Sequence, residues 1–188
     1  MLLDDVLEFN RNFVGKKEYE KYETSKLPNK KLVVVSCMDT RLTELLPQAM
    51  NIKNGDAKFL KTAGAVVSHP FGSIMRSILI AIYDLNAQEV CVVGHHDCGM
   101  SHVNPTETMR KMVERGIPEE TITTLQYSGI HINEWLHGFD SVEDSVRNSV
   151  DVIRNHPLIP KGIPVHGLVI DPDTGALEVI ENGYSRGK

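Results

Sequence analysis

The residues of this 188-residue chain best suited to chemistry fall in two short segments. The first carries Cys37, Asp39 and Arg41, and the second carries His95 and Cys98. Proteins hold zinc with cysteine thiolates and histidine imidazoles, and three protein ligands with one open position are typical of a catalytic zinc site. The two cysteines and the histidine supply such a set. A structural zinc ribbon would need a further cysteine or histidine at knuckle spacing, which the sequence does not offer.

His96 and Asp97, next to the proposed ligands, leave alternatives open, whereas Cys91 does not. His96 competes with His95 as the imidazole ligand, because the three-position offset to Cys98 favours His95 only modestly. Asp97 lies between the ligand candidates, where it would either orient a ligand or be an ordinary surface residue. The third cysteine, Cys91, stands inside a Val-Cys-Val-Val run and is predicted to pack in the core as a small hydrophobic side chain.

Composition and charge exclude several classes of protein. Hydrophobic residues make up 41% of the chain and charged residues 24%, which are values of a globular protein. The net charge of −5 gives no support for a nucleic-acid partner. Three cysteines cannot form a complete disulfide framework, which favours a reduced compartment. The acidic start and the absence of a long apolar stretch predict a cytoplasmic protein with no membrane partner.

The elements that must position these residues follow from hydrophobic patterning. Continuous β-branched runs predict strands over 32–35 and 90–93. Further strands are predicted over 57–60, after a turn at Gly55-Asp56, and over 165–170, with a closing hairpin strand over 176–180. Helical spacing predicts a leading helix and further helices over 42–50, 118–126 and 130–136. Three more helices are predicted to start at the N-cap candidates Ser73, Asn104 and Ser141.

This order predicts the fold class and the place of the site. It indicates an α/β fold, with a mostly parallel central β-sheet flanked by helices and a C-terminal antiparallel hairpin. The length favours a single domain over 1–188, with a helical arm over 1–27 that lies on the body or on a partner subunit. Ligands bind at the carboxyl ends of strands in such sheets, and both chemistry-bearing segments follow strands there.

Together these motifs resemble the β-class carbonic anhydrases, and in particular their small bacterial members. The resemblance rests on Cys-x-Asp-x-Arg after one valine-rich strand and His-x-x-Cys-Gly after another. It extends over nearly the whole chain, including Ala-Gly-Ala-Val-Val over 63–67 and Val-His-Gly-Leu-Val over 165–169. One departure is Lys61-Thr62, where the family commonly has Arg-Asn. Lysine lacks the planar fork with which arginine positions an anion.

The resemblance implies Zn²⁺ bound by Cys37, His95 and Cys98, with Asp39 and Arg41 acting beside it. It implies an enzyme that reversibly hydrates carbon dioxide to bicarbonate and a proton by zinc-bound hydroxide. It also implies a homodimer or homotetramer with active sites near the subunit interface.

The substrate and two rival functions remain to be distinguished. Carbon dioxide is small and apolar, and Ala63, Gly64 and Val66 are candidates for the walls of its pocket, although a tight turn would also need small residues. Carbonyl sulfide and carbon disulfide share the linear geometry and are alternative substrates. A non-catalytic zinc-binding or thiol redox protein is the other alternative. The lack of Cys-x-x-Cys counts against redox chemistry, and a structural metal would not need Asp39 and Arg41.

Overall fold

A computed structural model of the chain describes residues 1–185, and its centre is a five-stranded sheet. The strands are β1 (Leu32–Cys37), β2 (Ala57–Thr62), β3 (Glu89–His95), β4 (Val165–Ile170) and β5 (Leu177–Glu181). Their order is β2-β1-β3-β4-β5, with β1 to β4 parallel and β5 antiparallel to β4. The predicted fold class is therefore confirmed. Residues 186–188 of the predicted domain lie outside the described residues.

Seven α-helices accompany the sheet within residues 1–185. They are α1 (Leu2–Gly15), α2 (Leu42–Ala49), α3 (Ser73–Tyr83), α4 (Pro105–Glu114), α5 (Glu119–Tyr127), α6 (Ile132–Leu136) and α7 (Val142–Arg154). The side chain of Asn104 accepts a hydrogen bond from the backbone N–H of Glu107 at the start of α4, and Ser141 does the same from Asp144 at the start of α7. These two helix starts occur where side-chain capping predicts them.

The start of α3 differs from the prediction by one residue. Gly72, in extended backbone, is the N-cap, and Ser73 is already the first helical residue. No side chain caps this end of the helix. The prediction of Ser73 as N-cap is wrong because the chain turns into the helix at the glycine, where no side-chain oxygen is available.

The core lies on both faces of the sheet, as the uninterrupted valines of β1 predict. Val33 and Val35 pack on the face covered by α3 and α7, whereas Val34 packs on the face covered by Leu42 and Leu46 of α2. All five side chains are fully buried. Each contributes roughly 1.5–3 kcal/mol of transfer free energy, so β1 is fixed firmly at the centre of the molecule.

The order of the strands places a crevice at the carboxyl ends of β1 and β3. The chain runs from β1 outward to β2 on one side and continues from β3 to β4 on the other, so the connections diverge between the two central strands. Open α/β sheets bind ligands at this switch point. Cys37 is the last residue of β1 and His95 is the last residue of β3.

The helix α1 stands apart from the two cores. It contains no buried residue, and the apolar side chains of Leu3, Val6 and Leu7 are exposed along it. Its contact with the following 3₁₀ turn includes Phe13 and Tyr22, whose ring centroids are 6.3 Å apart. Among residues 1–185, no helix combines the length and the apolar character that crossing a membrane would require.

Candidate metal centre

Cys37, His95 and Cys98 come together at the crevice. Their ligand atoms all lie within 4.8 Å of one another, and the two sulfur atoms are 3.9 Å apart. All three side chains are buried. Two residues come from the ends of adjacent strands and the third from the turn after β3, so the folded sheet assembles the group from separate parts of the chain.

The imidazole of His95 is oriented as a metal ligand would be. Its Nδ1 lies 2.7 Å from the carbonyl oxygen of His96, to which a ring N–H donates, and this leaves the lone pair on Nε2. Nε2 is buried and has no hydrogen-bond partner among the described residues. Metal-binding histidines characteristically fix their second nitrogen in this way. The side chain of His96 is exposed, so the structure favours His95 of the two candidates.

The thiols of the group have unequal proton affinities. Burial opposes ionisation of Cys37, but the protonated form of the His95 imidazole and the backbone N–H groups of Asp39 and Gly64 outweigh it and lower the pKa of the thiol. Burial raises the pKa of Cys98, and the nearby Cys37 raises it further. Two anions sharing a small site behave in this way, and a dication between them would allow both to ionise. The donor set and the unpartnered nitrogen therefore fit a bound metal, and sulfur with imidazole suits zinc.

Asp39 and Arg41 form a close pair beside this group. Arg41 donates from Nε to Oδ1 at 3.1 Å and from Nη2 to Oδ2 at 2.9 Å, and its backbone N–H also donates to Oδ1. These hydrogen bonds lower the pKa of Asp39 to about 2. The carboxylate is therefore ionised at neutral pH, and its Oδ2 lies 3.7 Å from Nε2 of His95.

Asp97 makes a contact that the sequence did not reveal. Arg41 donates from Nη1 to the Asp97 carboxylate at 2.9 Å and from Nη2 to the Asp97 carbonyl oxygen at 3.0 Å. The two residues are 56 positions apart, so no local spacing signals the contact. The side chain of Asp97 is at the surface, as in the second of the two alternatives, and it also contacts the arginine that lies beside Cys37, His95 and Cys98.

The predicted pocket residues follow β2, next to the end of β1. The backbone N–H of Gly64 donates to Cys37 Sγ at 3.3 Å. Gly64 has a φ of 71°, and a Cβ there would lie 2.8 Å from the Phe139 ring, so a larger residue would not fit. Ala63 and Val66 are half-buried in the same segment. Lys61 is the residue before the last in β2, close to this segment, and burial lowers the pKa of its ammonium group.

The fold and this site together define a class of protein, and comparison with known proteins agrees. A family model described as carbonic anhydrase matches residues 32–177. The crystal structure of β-carbonic anhydrase isoform I from Trichomonas vaginalis superposes on this chain with a TM-score of 0.87, over 98% of this chain and 100% of that one. The two sequences are 34% identical. The chain belongs to the β-carbonic anhydrase family.

Two relatives in sequence are named for different activities. "Putative carbonic anhydrase YtiB" of Bacillus subtilis (strain 168) is 62% identical over 184 residues, covering 98% of both chains. A carbon disulfide hydrolase of Acidithiobacillus thiooxidans is 25% identical over 175 residues, covering 88% of this chain and 85% of that one. Membership of the family therefore does not identify the substrate, which has to be inferred from the geometry of the site.

Proposed function

We propose that the protein is a zinc enzyme that reversibly hydrates carbon dioxide to bicarbonate and a proton. The observation that carries this proposal is the buried group of Cys37, His95 and Cys98, with its unpartnered nitrogen, next to an arginine-held carboxylate. When bound by these three side chains, zinc supplies Lewis-acid activation of water near neutral pH.

The carboxylate of Asp39 orients the attacking water in this proposal. Its Oδ2 lies near Nε2 of His95, where it can accept the hydrogen of a water molecule that approaches the group. Because Arg41 lowers its pKa to about 2, Asp39 stays an acceptor and does not carry the released proton. Arg41 occupies both carboxylate oxygens and so keeps Asp39 from becoming a fourth ligand.

Carbon dioxide needs a small apolar space beside that water. Ala63 and Val66 are the proposed apolar walls, and Gly64 allows the segment to turn tightly next to Cys37. The Gly64 N–H is already used by the sulfur, so the wall presents little polarity to the substrate. This suits a molecule with no net dipole better than it suits an anion.

A second substrate class is favoured by one specific observation. The 25% identical relative is a carbon disulfide hydrolase, and carbon disulfide and carbonyl sulfide are linear like carbon dioxide. A non-catalytic zinc protein is the weaker alternative, because a metal that only stabilises the fold has no use for the Asp39–Arg41 pair.

Metal analysis combined with two turnover assays tests the proposal. Zinc-loaded protein should contain about one zinc per chain and hydrate carbon dioxide in a stopped-flow assay. Two thiolates neutralise the dication, so bound water should be less acidic than with three imidazoles, and the rate should rise towards about pH 8.5. Release of sulfide from carbon disulfide in place of carbon dioxide hydration would support the second class. Bound zinc with neither activity would contradict both.

We further propose how the chain is organised, assembled and located. We infer one domain with a helical arm over 1–27 that joins a homodimer or homotetramer, since the apolar residues of α1 are exposed in the single chain. A cytoplasmic location is consistent with three free cysteines, because thiols persist in reducing compartments.

A further inference from the structure

We propose that Asp97 is a positioning residue. It fixes Arg41 in the orientation that keeps the Asp39 carboxylate from binding the metal. This inference rests on the proposed metal site, and it adds a residue to which neither the comparisons nor the family motif gives a role. It links the two chemistry-bearing segments, one following β1 and the other following β3.

The need for such a link follows from where the paired residues are attached. Asp39 and Arg41 are two positions apart on one short segment, so their mutual hydrogen bonds do not fix the pair relative to the rest of the site. The pair could turn as a unit and keep every bond within it. A group on another segment must hold it, and the side-chain hydrogen bonds of Arg41 to another segment go to Asp97.

The guanidinium group divides its donors between the two carboxylates. Nε and Nη2 face Asp39, while Nη1 faces the carboxylate of Asp97 and Nη2 also reaches the Asp97 carbonyl oxygen. The guanidinium is planar and rigid, so engaging two of its edges fixes both its position and its rotation. A single ion pair would fix only its distance.

The backbone of Asp97 is shaped for this contact. Its φ is 52°, in the left-handed region, which is uncommon for residues other than glycine and is best tolerated by asparagine and aspartate. This conformation brings both the carbonyl oxygen and the carboxylate of one residue to the same guanidinium. The residue lies between His95 and Cys98, so the segment that offers two of the proposed metal ligands also carries the residue that anchors Arg41.

The Arg41–Asp97 ion pair is too exposed to contribute much to the stability of the fold. The side chain of Asp97 is 73% exposed, and ion pairs in water contribute little to folding. Its effect should therefore appear in how Asp39 is placed, and an assay of unfolding should hardly detect it.

A cobalt-substituted protein provides the test without turnover. Cobalt(II) at a site of this kind has visible absorption bands that change when a small anion such as azide binds. Azide affinity then reports whether the fourth position is free or is taken by Asp39. The variant D97G accepts the left-handed backbone and removes only the carboxylate, whereas D97N keeps an oxygen that accepts from Nη1. N86G is the matched control, since Asn86 is exposed, has a φ of 61° and lies between α3 and β3.

The expected result is a rise of about tenfold in the azide dissociation constant for D97G, the scale of effects from residues that support metal ligands. D97N and N86G should stay near the wild-type value. In a D39A background, D97G should have no effect, because there is no carboxylate left to move. Unchanged azide affinity in D97G overturns the proposal, and so does loss of cobalt from D97G with retention in N86G. Absence of carbon dioxide hydration by the wild type would contradict the proposed function, but the azide affinities would still test the role of Asp97.

Discussion

At the scale of single residues, Cys37 and Cys91 show how position determines what a thiol can do. Both are buried on adjacent strands, in β1 and β3. Cys37 ends its strand and faces an imidazole and two backbone N–H groups, which lower the pKa of its thiol. Cys91 lies inside its strand, where burial raises the pKa of its thiol to about 12. The first is suited to bind a metal as thiolate, and the second is suited to packing.

This contrast predicts different outcomes for the same substitution. C37A should lose most of its bound zinc, because two protein ligands remain and His95 and Cys98 alone hold the ion poorly. C91A should keep about one zinc per chain and lose only packing. Zinc content after gel filtration, measured by atomic emission, compares the two. Equal zinc in both variants would remove Cys37 from the metal site.

A second residue-scale prediction concerns Arg41. R41A frees the Asp39 carboxylate, which can then approach the ligand group, so activity should fall roughly 10- to 100-fold while zinc is retained. R41K keeps the charge but loses the planar fork, and it should restore the rate only in part. Carbon dioxide hydration at matched zinc content measures this. Wild-type rates in R41A would refute the role assigned to the pair.

At the scale of secondary-structure elements, the position of His95 depends on the contact between β3 and α7. Gly94 precedes His95, and a Cβ there would lie 2.7 Å from Cγ2 of Val142 and 2.8 Å from Cγ2 of Val146. The helix therefore packs directly on the strand at the residue before His95. The absence of a side chain at Gly94 is what permits this close approach.

Adding one methyl group at this contact should be costly. G94A should lower the free energy of unfolding by about 1–3 kcal/mol, because the core is overpacked. G99A is the control, since a Cβ at Gly99 meets nothing within 4 Å. G94A should cost less in a V146A background than in the wild type, because the truncated Val146 removes one of the two close contacts. Urea unfolding followed by circular dichroism gives the values, and equal stability of G94A and G99A would contradict this account of the packing.

The same scale shows what could be predicted from sequence and what could not. β1 and the capped starts of α4 and α7 follow from local patterns, namely a run of valines and the side chains of Asn104 and Ser141. The convergence of Cys37 with the β3 segment follows from the rule that parallel strands end at one edge. The Arg41–Asp97 contact depends on a left-handed backbone and on two loops that are distant in sequence, and no local pattern encodes it.

At the scale of the whole molecule, the apolar side chains of α1 find no surface within the described part of the chain that buries them. Its apolar residues recur at helical spacing, as in helices that pack on a core, yet none of its side chains is buried. Leu3 is 66% exposed and Val6 is 53% exposed. An apolar stripe of this kind in a globular protein marks a surface that another surface covers.

A charge placed on this stripe tests whether a second copy of the chain covers it. V6E/L7E should shift the protein from dimer or tetramer towards monomer, because two carboxylates would have to be buried in the interface. The fold should persist, since α1 contributes no residue to either core. N12E carries a new charge on the opposite, polar side of the same helix and should leave the assembly unchanged. Light scattering after size-exclusion chromatography gives the masses, and circular dichroism checks the fold. The wild-type mass in V6E/L7E would show that the stripe is not the contact between subunits.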